Sequence, residues 1–324
     1  MRYRCGILCL LVAFAMLPAC MSFSMSSPQA GAVEEKPAQH PDELFAVMLR
    51  SQGQEYITAR SEMLQGGPAA TEFLKSKLND ADWHVRVLAE AALDRATRPA
   101  DYDRFTVILQ TDVQLSFRSR GSPFSWLARA LFEHPYRIRR EDIGSLDTGL
   151  FNPAAVPFLL EVLIKGPISC PRPVPPPGMA ETWTEEQQKS WSEQVDRDCD
   201  TYVKLTRCYA ALELGWINDP RAIDALIEAA TAGAFPELRR FGALGLAKTK
   251  RPEAIKTLLS LSEDPNADFR VTAVLMLGHV LDMRHERLET LALRDPEPRV
   301  REAAQWALQE IEARTREQAR SEGQ

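Results

Sequence analysis

Few side chains in this sequence have the types and spacing that catalysis or metal binding requires. None of the histidines or cysteines falls into a His-Glu-x-x-His or Cys-x-x-Cys spacing, the usual zinc signatures. No Gly-x-Ser-x-Gly elbow, Walker loop or dinucleotide fingerprint occurs. The adjacent carboxylates of Glu185 and Glu186 are typical of a solvated surface. We therefore expect no catalytic residues, no metal, no cofactor and no enzymatic activity. The histidines are His40, His84, His134, His279 and His285.

The elements that carry these side chains recur along the chain. In five segments an arginine is followed by small or apolar residues three, four and seven positions later, which places them on one face of a helix. Four segments near the C-terminus follow one another at nearly constant intervals, and the fifth lies upstream. The arginines are Arg207, Arg239, Arg270 and Arg301, with Arg86 upstream.

A second pattern precedes these helices. Proline, followed by apolar residues at helical spacing, opens a shorter segment, and proline suits the first turn of a helix because its missing N–H would be unpaired there anyway. The repeating unit is therefore a helix, a turn and a second helix. Such a pair buries its apolar face only by stacking on neighbours, so the sequence predicts an all-α solenoid of stacked antiparallel helix pairs. The prolines are Pro68, Pro153, Pro220 and Pro252.

An aspartate six residues before the arginine completes the pattern in three units. The pairs are Asp80 with Arg86, Asp264 with Arg270, and Asp295 with Arg301. With these residues, segments 68–97 and 153–316 resemble the HEAT-repeat family, including its short variants described as phycobilisome-lyase-like. The resemblance implies that the aspartates and arginines form a structural ladder between adjacent units. Thr201 and Gly233 occupy the aspartate position in two units, so we expect the ladder to be interrupted there.

One insertion distinguishes the chain from a plain repeat array. About 35 extra residues, 166–200, enter the turn between the two helices of the unit that begins at Pro153. Cys170 and Cys199 bracket this insertion, and we expect them to form a disulfide if the protein is exported. A capping-box pattern at 184–187 predicts a short helix inside it. Trp183 and Trp191 either staple the insertion to the stack or anchor a partner, whereas Cys208 should lie in the core.

The N-terminus has the features of an export signal. Arg2 and Arg4 precede an apolar run at 7–17, which is too short to span a bilayer. The run ends at Leu-Pro-Ala-Cys, which resembles the lipobox of bacterial lipoproteins, in which the cysteine, here Cys20, is lipidated. Residues 1–19 are then a signal peptide, and residues 20–41 a flexible tether. Ordinary cleavage after 30–32 is the alternative. We expect anchoring to a bacterial envelope membrane, the outer one facing the periplasm where the organism has one.

The remaining segments complete the domain plan. Residues 42–65 should form one or two capping helices, and 99–150 a divergent unit, so that 42–150 and 151–316 are the two helical regions. Arginines between Arg118 and Arg140 form either an anionic-partner patch or a solvated face. After Ile311 the chain is polar and charged, and we expect this stretch to fray into solvent, with residues 317–324 as a polar tail.

These features favour a binding protein. The formal net charge of −6 argues against nucleic acid as a partner. Solenoids offer long surfaces to other proteins, so we predict a scaffold that binds an unknown protein partner, held at the membrane through Cys20. One alternative is a lyase-like or chaperone-type HEAT protein that acts on a cofactor-bearing partner, since lyase-like members of the family attach or remove chromophores. Another is a purely structural envelope component.

Overall fold

The computed structural model of the protein describes residues 40–118, 152–166 and 180–322, together with Cys170, Pro175 and Gly178. Within these ranges the chain forms thirteen α-helices and no strand. The helices are α1 (Pro41–Arg50), α2 (Gly53–Gln65), α3 (Gly67–Ser76), α4 (Trp83–Thr97), α5 (Pro99–Arg118), α6 (Val156–Lys165), α7 (Glu185–Ile217), α8 (Ile223–Ala232), α9 (Pro236–Thr249), α10 (Pro252–Leu261), α11 (Ala267–Val280), α12 (Glu286–Arg294) and α13 (Pro298–Glu322).

Helices α6 to α13 form four stacked pairs. The second helices of the pairs, α7, α9, α11 and α13, pack side by side, and the first helices pack against them from one side. Helix α11 is buried on almost every face because it lies between α9 and α13 and over α10. Helix α12 is amphipathic and buries Leu288, Leu291 and Ala292. The predicted all-α solenoid is confirmed.

The N-terminal helices add a smaller core to this stack. Residues of α1 to α4, among them Met48, Tyr56 and Met63, form an apolar cluster of their own. Helix α4 also packs against α6, and α5 packs against α7. Helix α4 thus contributes Val87 to the main core and Leu88 to the smaller one.

The insertion differs from the sequence prediction in one respect. The capping box at Thr184 and Gln187 is present, but the helix that it opens continues without interruption to Ile217. The prediction of a separate short helix within 166–200 was wrong, because no proline interrupts the helical pattern between Thr184 and Asn218. The helix ends only where Asn218 adopts a left-handed conformation, with φ of 57°.

The first and last described helices can be compared with the helices and the tail predicted there. Residues 42–65 form two helices, as predicted. Helix α13 extends to Glu322, so the expectation that the chain frays after Ile311 was wrong for residues 312–322. The arginine-rich segment beyond Arg118 and the lipidation candidate Cys20 lie outside the described residues. Among the residues that are described, no helix combines the length and the apolar character needed to cross a membrane.

Candidate functional site

A cleft of about 330 Å³ opens where α4, α6, α7 and α8 approach the turn between α1 and α2. Its lining includes the apolar residues Leu163 and Ala229, and its polar rim comes from four helices. The volume is at the lower end of the range for small-molecule sites. The rim residues are Trp83, His84, Lys165, Arg207 and Glu228.

His84 is held between two carboxylates at the start of α4. Asp82 caps the helix by accepting a hydrogen bond from the His84 backbone N–H. The same carboxylate oxygen lies 3.1 Å from Nδ1 of the ring, and Nε2 lies 3.0 Å from Glu228 Oε2. The Trp83 ring stacks on the imidazole with centroids 3.8 Å apart. This arrangement fixes the orientation of the ring and leaves it partly exposed in the cleft.

Lys165 supplies the first cation of the cleft. Its Nζ donates hydrogen bonds to the carbonyl oxygens of Leu49, at 2.8 Å, and Ser51, at 3.0 Å, at the C-terminal end of α1. Burial lowers the pKa of Lys165 to about 8. The group is therefore still mostly protonated at neutral pH, but it loses its proton far more readily than an exposed lysine.

Arg207 supplies the second cation. Its Nε donates to the Leu163 carbonyl at 2.8 Å, and the guanidinium lies 5.8 Å from the centre of the Phe235 ring. Burial lowers the pKa of Arg207, although the nearby Glu228 opposes the shift. In the part of the chain that the structure describes, Arg207 forms no salt bridge with a carboxylate. Its two terminal nitrogens are therefore available to a carboxylate or phosphate from outside.

The predicted Asp/Arg ladder has a defined geometry in the C-terminal pairs. Arg270 binds Asp295 of the following turn through two hydrogen bonds of 2.9 Å each, and also donates to the carbonyl oxygen of Asp264. Arg239 binds Asp264 at 2.6 Å. Each rung therefore joins an arginine to the aspartate of the next unit.

The remaining ladder residues show where the rungs stop. Arg86 and Arg301 donate to the backbone carbonyls of Asp80 and Asp295, respectively, in their own turns. The expected interruption is present at Arg207. This is the interruption expected at Gly233, because the missing aspartate removes the rung that would come from the preceding arginine, Arg207, whereas Arg239 keeps its own rung to Asp264.

Within the insertion, the two cysteines are bonded to each other and the two tryptophans pack on each other. Cys170 and Cys199 are joined by a disulfide with Cα atoms 5.6 Å apart. Trp183 and Trp191 pack on each other with ring centroids 5.3 Å apart, and both are half-buried. Each ring keeps part of its surface free for a partner.

The other chemistry-bearing residues lie apart from the cleft. Cys208 is buried in the core, and burial raises the pKa of its thiol well above the usual value. His40 is exposed, and His285 caps α12. His134 lies outside the described residues. Among those described, no three His, Cys, Asp or Glu side chains come together as metal ligands would.

A buried ionic cluster, which no sequence pattern had predicted, is centred on Glu161. The carboxylate accepts hydrogen bonds from Tyr56 at 2.7 Å, from Arg95 at 2.8 Å and from Arg60. Burial raises the pKa of Glu161, but the charges of the two arginines outweigh it, and the pKa is lowered. A signal was present in the sequence, since Glu161 is the one acidic residue in the apolar run of α6.

Segments of the chain match two families of repeats, and part of the chain is similar to a lyase subunit. Residues 223–309 match the family of HEAT repeats, and residues 206–231 match the phycobilisome (PBS) lyase HEAT-like repeat. The chain is also similar to the phycocyanobilin lyase subunit beta of Nostoc sp., with 32% identity over 126 residues, which cover 33% of this chain and 63% of the relative. The chain thus spans less than two thirds of that relative. It contains HEAT-like repeats of the lyase type.

This similarity corrects one sequence prediction. We expected no enzymatic activity because the chain lacks known catalytic motifs. The relative is a subunit of a lyase, and the matched repeat at 206–231 contains Arg207 and Glu228 of the cleft. The similarity overturns that expectation, and the lack of motifs could not support it, because motifs record residues that are close in sequence, whereas His84 and Glu228 of the cleft are 144 positions apart.

Proposed function

We propose that the protein is a lyase-like HEAT protein that acts on a cofactor-bearing protein partner, and that the cleft around His84 and Arg207 is the reacting site. The similarity to a phycocyanobilin lyase subunit carries this proposal. The cleft supports it because the matched segment contributes two of its polar residues.

The side chains of the cleft suit a flat, apolar cofactor that bears a carboxylate. Arg207 offers two free nitrogens to the carboxylate, and Lys165 adds a second positive charge on the rim. The Trp83 ring and the apolar lining residues Leu163 and Ala229 offer surfaces for the conjugated part of the ligand. The cleft is small, so it would accept one end of an extended cofactor and leave the rest to the partner.

His84 is the residue best placed to move a proton. In an addition, a nucleophile of the partner bonds to one carbon of a double bond and its proton is transferred to the other carbon. Nothing is oxidised or reduced. In this proposal Glu228 turns away from Nε2 of His84, which then accepts the proton from the nucleophile and returns it, while Asp82 holds Nδ1 and fixes the ring. The same chemical steps in reverse order remove the cofactor from the partner.

We also propose a place and an orientation for the partner. The Trp183–Trp191 pair is the candidate docking anchor, because both rings are half-buried and lie on a rigid helix start. Lipid on Cys20 is the proposed membrane anchor, and palmitate labelling that is equal in wild type and Cys20→Ser would rule it out. If both proposals hold, the cofactor-bearing partner is itself an exported protein.

Phycocyanobilin is the probe that tests the reacting site. Binding would be followed by quenching of tryptophan fluorescence for wild type, Arg207→Gln and the control Arg294→Gln, whose arginine is exposed on α12. We expect Arg207→Gln to weaken binding about tenfold and Arg294→Gln to leave it unchanged. Equal affinity in all three proteins would contradict the assignment of Arg207.

The transfer step needs a separate measurement. Loaded protein would be incubated with an envelope extract of the source organism, and pigment that stays attached to a protein after denaturation would be quantified. We expect His84→Gln to bind phycocyanobilin as wild type does but to transfer far less of it. Transfer at the wild-type rate by His84→Gln would remove His84 from the mechanism.

A further inference from the structure

A second cationic site lies on the second helices of the stack, away from the cleft. Trp216, Lys248 and His279 occupy the same repeat position in α7, α9 and α11, each nine residues after the arginine of its unit. All three side chains are partly exposed, whereas most of their neighbours on these helices are buried. Together they form a row across three helices, which we call the cationic strip.

Close backbone contacts bring the members of the strip together. A Cβ atom on Gly215 would lie 2.5 Å from the Cα of Gly245, so only two glycines allow α7 and α9 to approach this closely. This approach places Lys248 Nζ 4.4 Å from the centre of the Trp216 ring. The ring therefore covers one side of the ammonium group, which partly removes it from water.

At the His279 end of the cationic strip, a glycine again allows two helices to approach closely. A Cβ on Gly278 would lie 2.6 Å from that of Ala307, so α11 and α13 also touch. Arg314 of α13 then donates to the carbonyl oxygens of Gly278, at 2.6 Å, and Leu281, at 2.7 Å. A permanent positive charge is thus fixed beside the His279 ring.

The charges at the strip have one sign. The groups whose charges act on His279 are Lys248, Lys250 and Arg314, and together with burial they lower its pKa to about 4. Burial and the charge of Lys250 lower the pKa of Lys248 to about 8. Within the described part of the chain, neither lysine forms a salt bridge. Bringing these like charges together costs free energy.

We infer that the cationic strip binds an oxyanion, a carboxylate or phosphate group, contributed by a ligand or partner protein. The anion would bind the ammonium groups of Lys248 and Lys250 beside the Trp216 ring. His279 would lie within reach of the same anion, and its ring would then gain a proton more easily. The strip is distinct from the cleft of the proposed function and does not depend on it.

Citrate and pyrophosphate are suitable probes, since one carries carboxylates and the other phosphates. Calorimetric titrations would be made at constant ionic strength with wild type, Lys248→Gln and the control Lys256→Gln, whose lysine is exposed on α10. We expect one-to-one binding by wild type, about tenfold weaker binding by Lys248→Gln, and no change in Lys256→Gln. Binding of one probe alone would assign the class of anion.

Either of two titration results would overturn the inference. The first is that neither probe binds wild type more tightly than chloride does. The second is that Lys248→Gln and Lys256→Gln bind equally well. Competitive acetylation of the wild-type protein gives a test that needs no variant: a bound anion should slow acetylation of Lys248 several-fold and leave Lys256 unaffected. Equal rates with and without probe would also refute the site.

Discussion

The buried carboxylate of Glu161 provides the sharpest test of how the N-terminal helices are attached to the stack. Its side chain is 3% exposed, and the side chains of Arg60 and Arg95 are 7% and 13% exposed. Replacing Glu161 by Gln keeps the shape of the side chain but removes its charge. Two guanidinium groups then remain buried without a counter-charge.

The expected cost follows from the burial of the partners. Removing one member of a buried ion pair typically costs about 3–5 kcal/mol, far more than an exposed pair is worth. We expect Glu161→Gln to lower the free energy of unfolding by that amount. Since the cluster connects α2 and α4 to α6, the smaller core of α1 to α4 should unfold at lower urea concentration than the rest.

Urea unfolding followed by circular dichroism measures both effects. Glu72→Gln is the matched control, because Glu72 forms an exposed pair with Lys75 and its loss should cost well under about 1 kcal/mol. A loss of less than about 1 kcal/mol in Glu161→Gln would refute the reasoning, as would unfolding of α1 to α4 at the wild-type urea concentration.

The pH dependence of this difference has a definite sign. The folded-state pKa of Glu161 lies below the unfolded value near 4.5, so the stability that its charge contributes is fully present above pH 4.5. That contribution is lost as the pH falls through the folded-state pKa. Wild type and Glu161→Gln should therefore differ most at neutral pH and converge in acid.

Three further changes test other parts of the structure. Arg270→Ala should lower the free energy of unfolding by about 2–4 kcal/mol, since Asp295 loses a two-bond partner; an unchanged thermal midpoint would count against the ladder. Reducing the Cys170–Cys199 disulfide should cost about 3–4 kcal/mol in the chain-entropy model, and non-reducing peptide mapping should recover the two cysteines joined. His279 has a pKa of about 4 in the folded state and 6.5 in the unfolded state. The free energy of unfolding should therefore fall by up to about 3 kcal/mol as the pH is lowered from 6.5 to 4. His279→Gln should abolish this pH dependence of stability.

The repeat architecture could be predicted because its signals are local. An arginine and its apolar residues lie within one helix, and the proline that opens a helix acts on its own turn. The capping box at Thr184 could be predicted for the same reason, since it is a local pattern. The end of that helix was predicted wrongly, because we expected a boundary between repeat units where the sequence contains no helix breaker.

The sites could not be predicted in the same way because their members are distant in sequence. Tyr56 and Glu161 are 105 positions apart, and His84 meets Glu228 only after α4 packs beside the stack. The sequence did show that Gly233 replaces the aspartate expected in the unit that follows Arg207. The consequence, an arginine free to bind a ligand, became visible only when its neighbours were placed around it.

The unbroken length of α7 has a mechanical consequence. Its 33 residues extend about 50 Å, and all of its buried residues except Val195 lie in the C-terminal half. The N-terminal half is therefore a rigid arm. The disulfide of Cys199 fixes its base, and the Trp183–Trp191 pair lies at its other end, the tip. A protein bound at the tip would be held at a set distance from the rest of the molecule. Shortening the arm by two turns would move that protein about 11 Å closer without altering either contact surface.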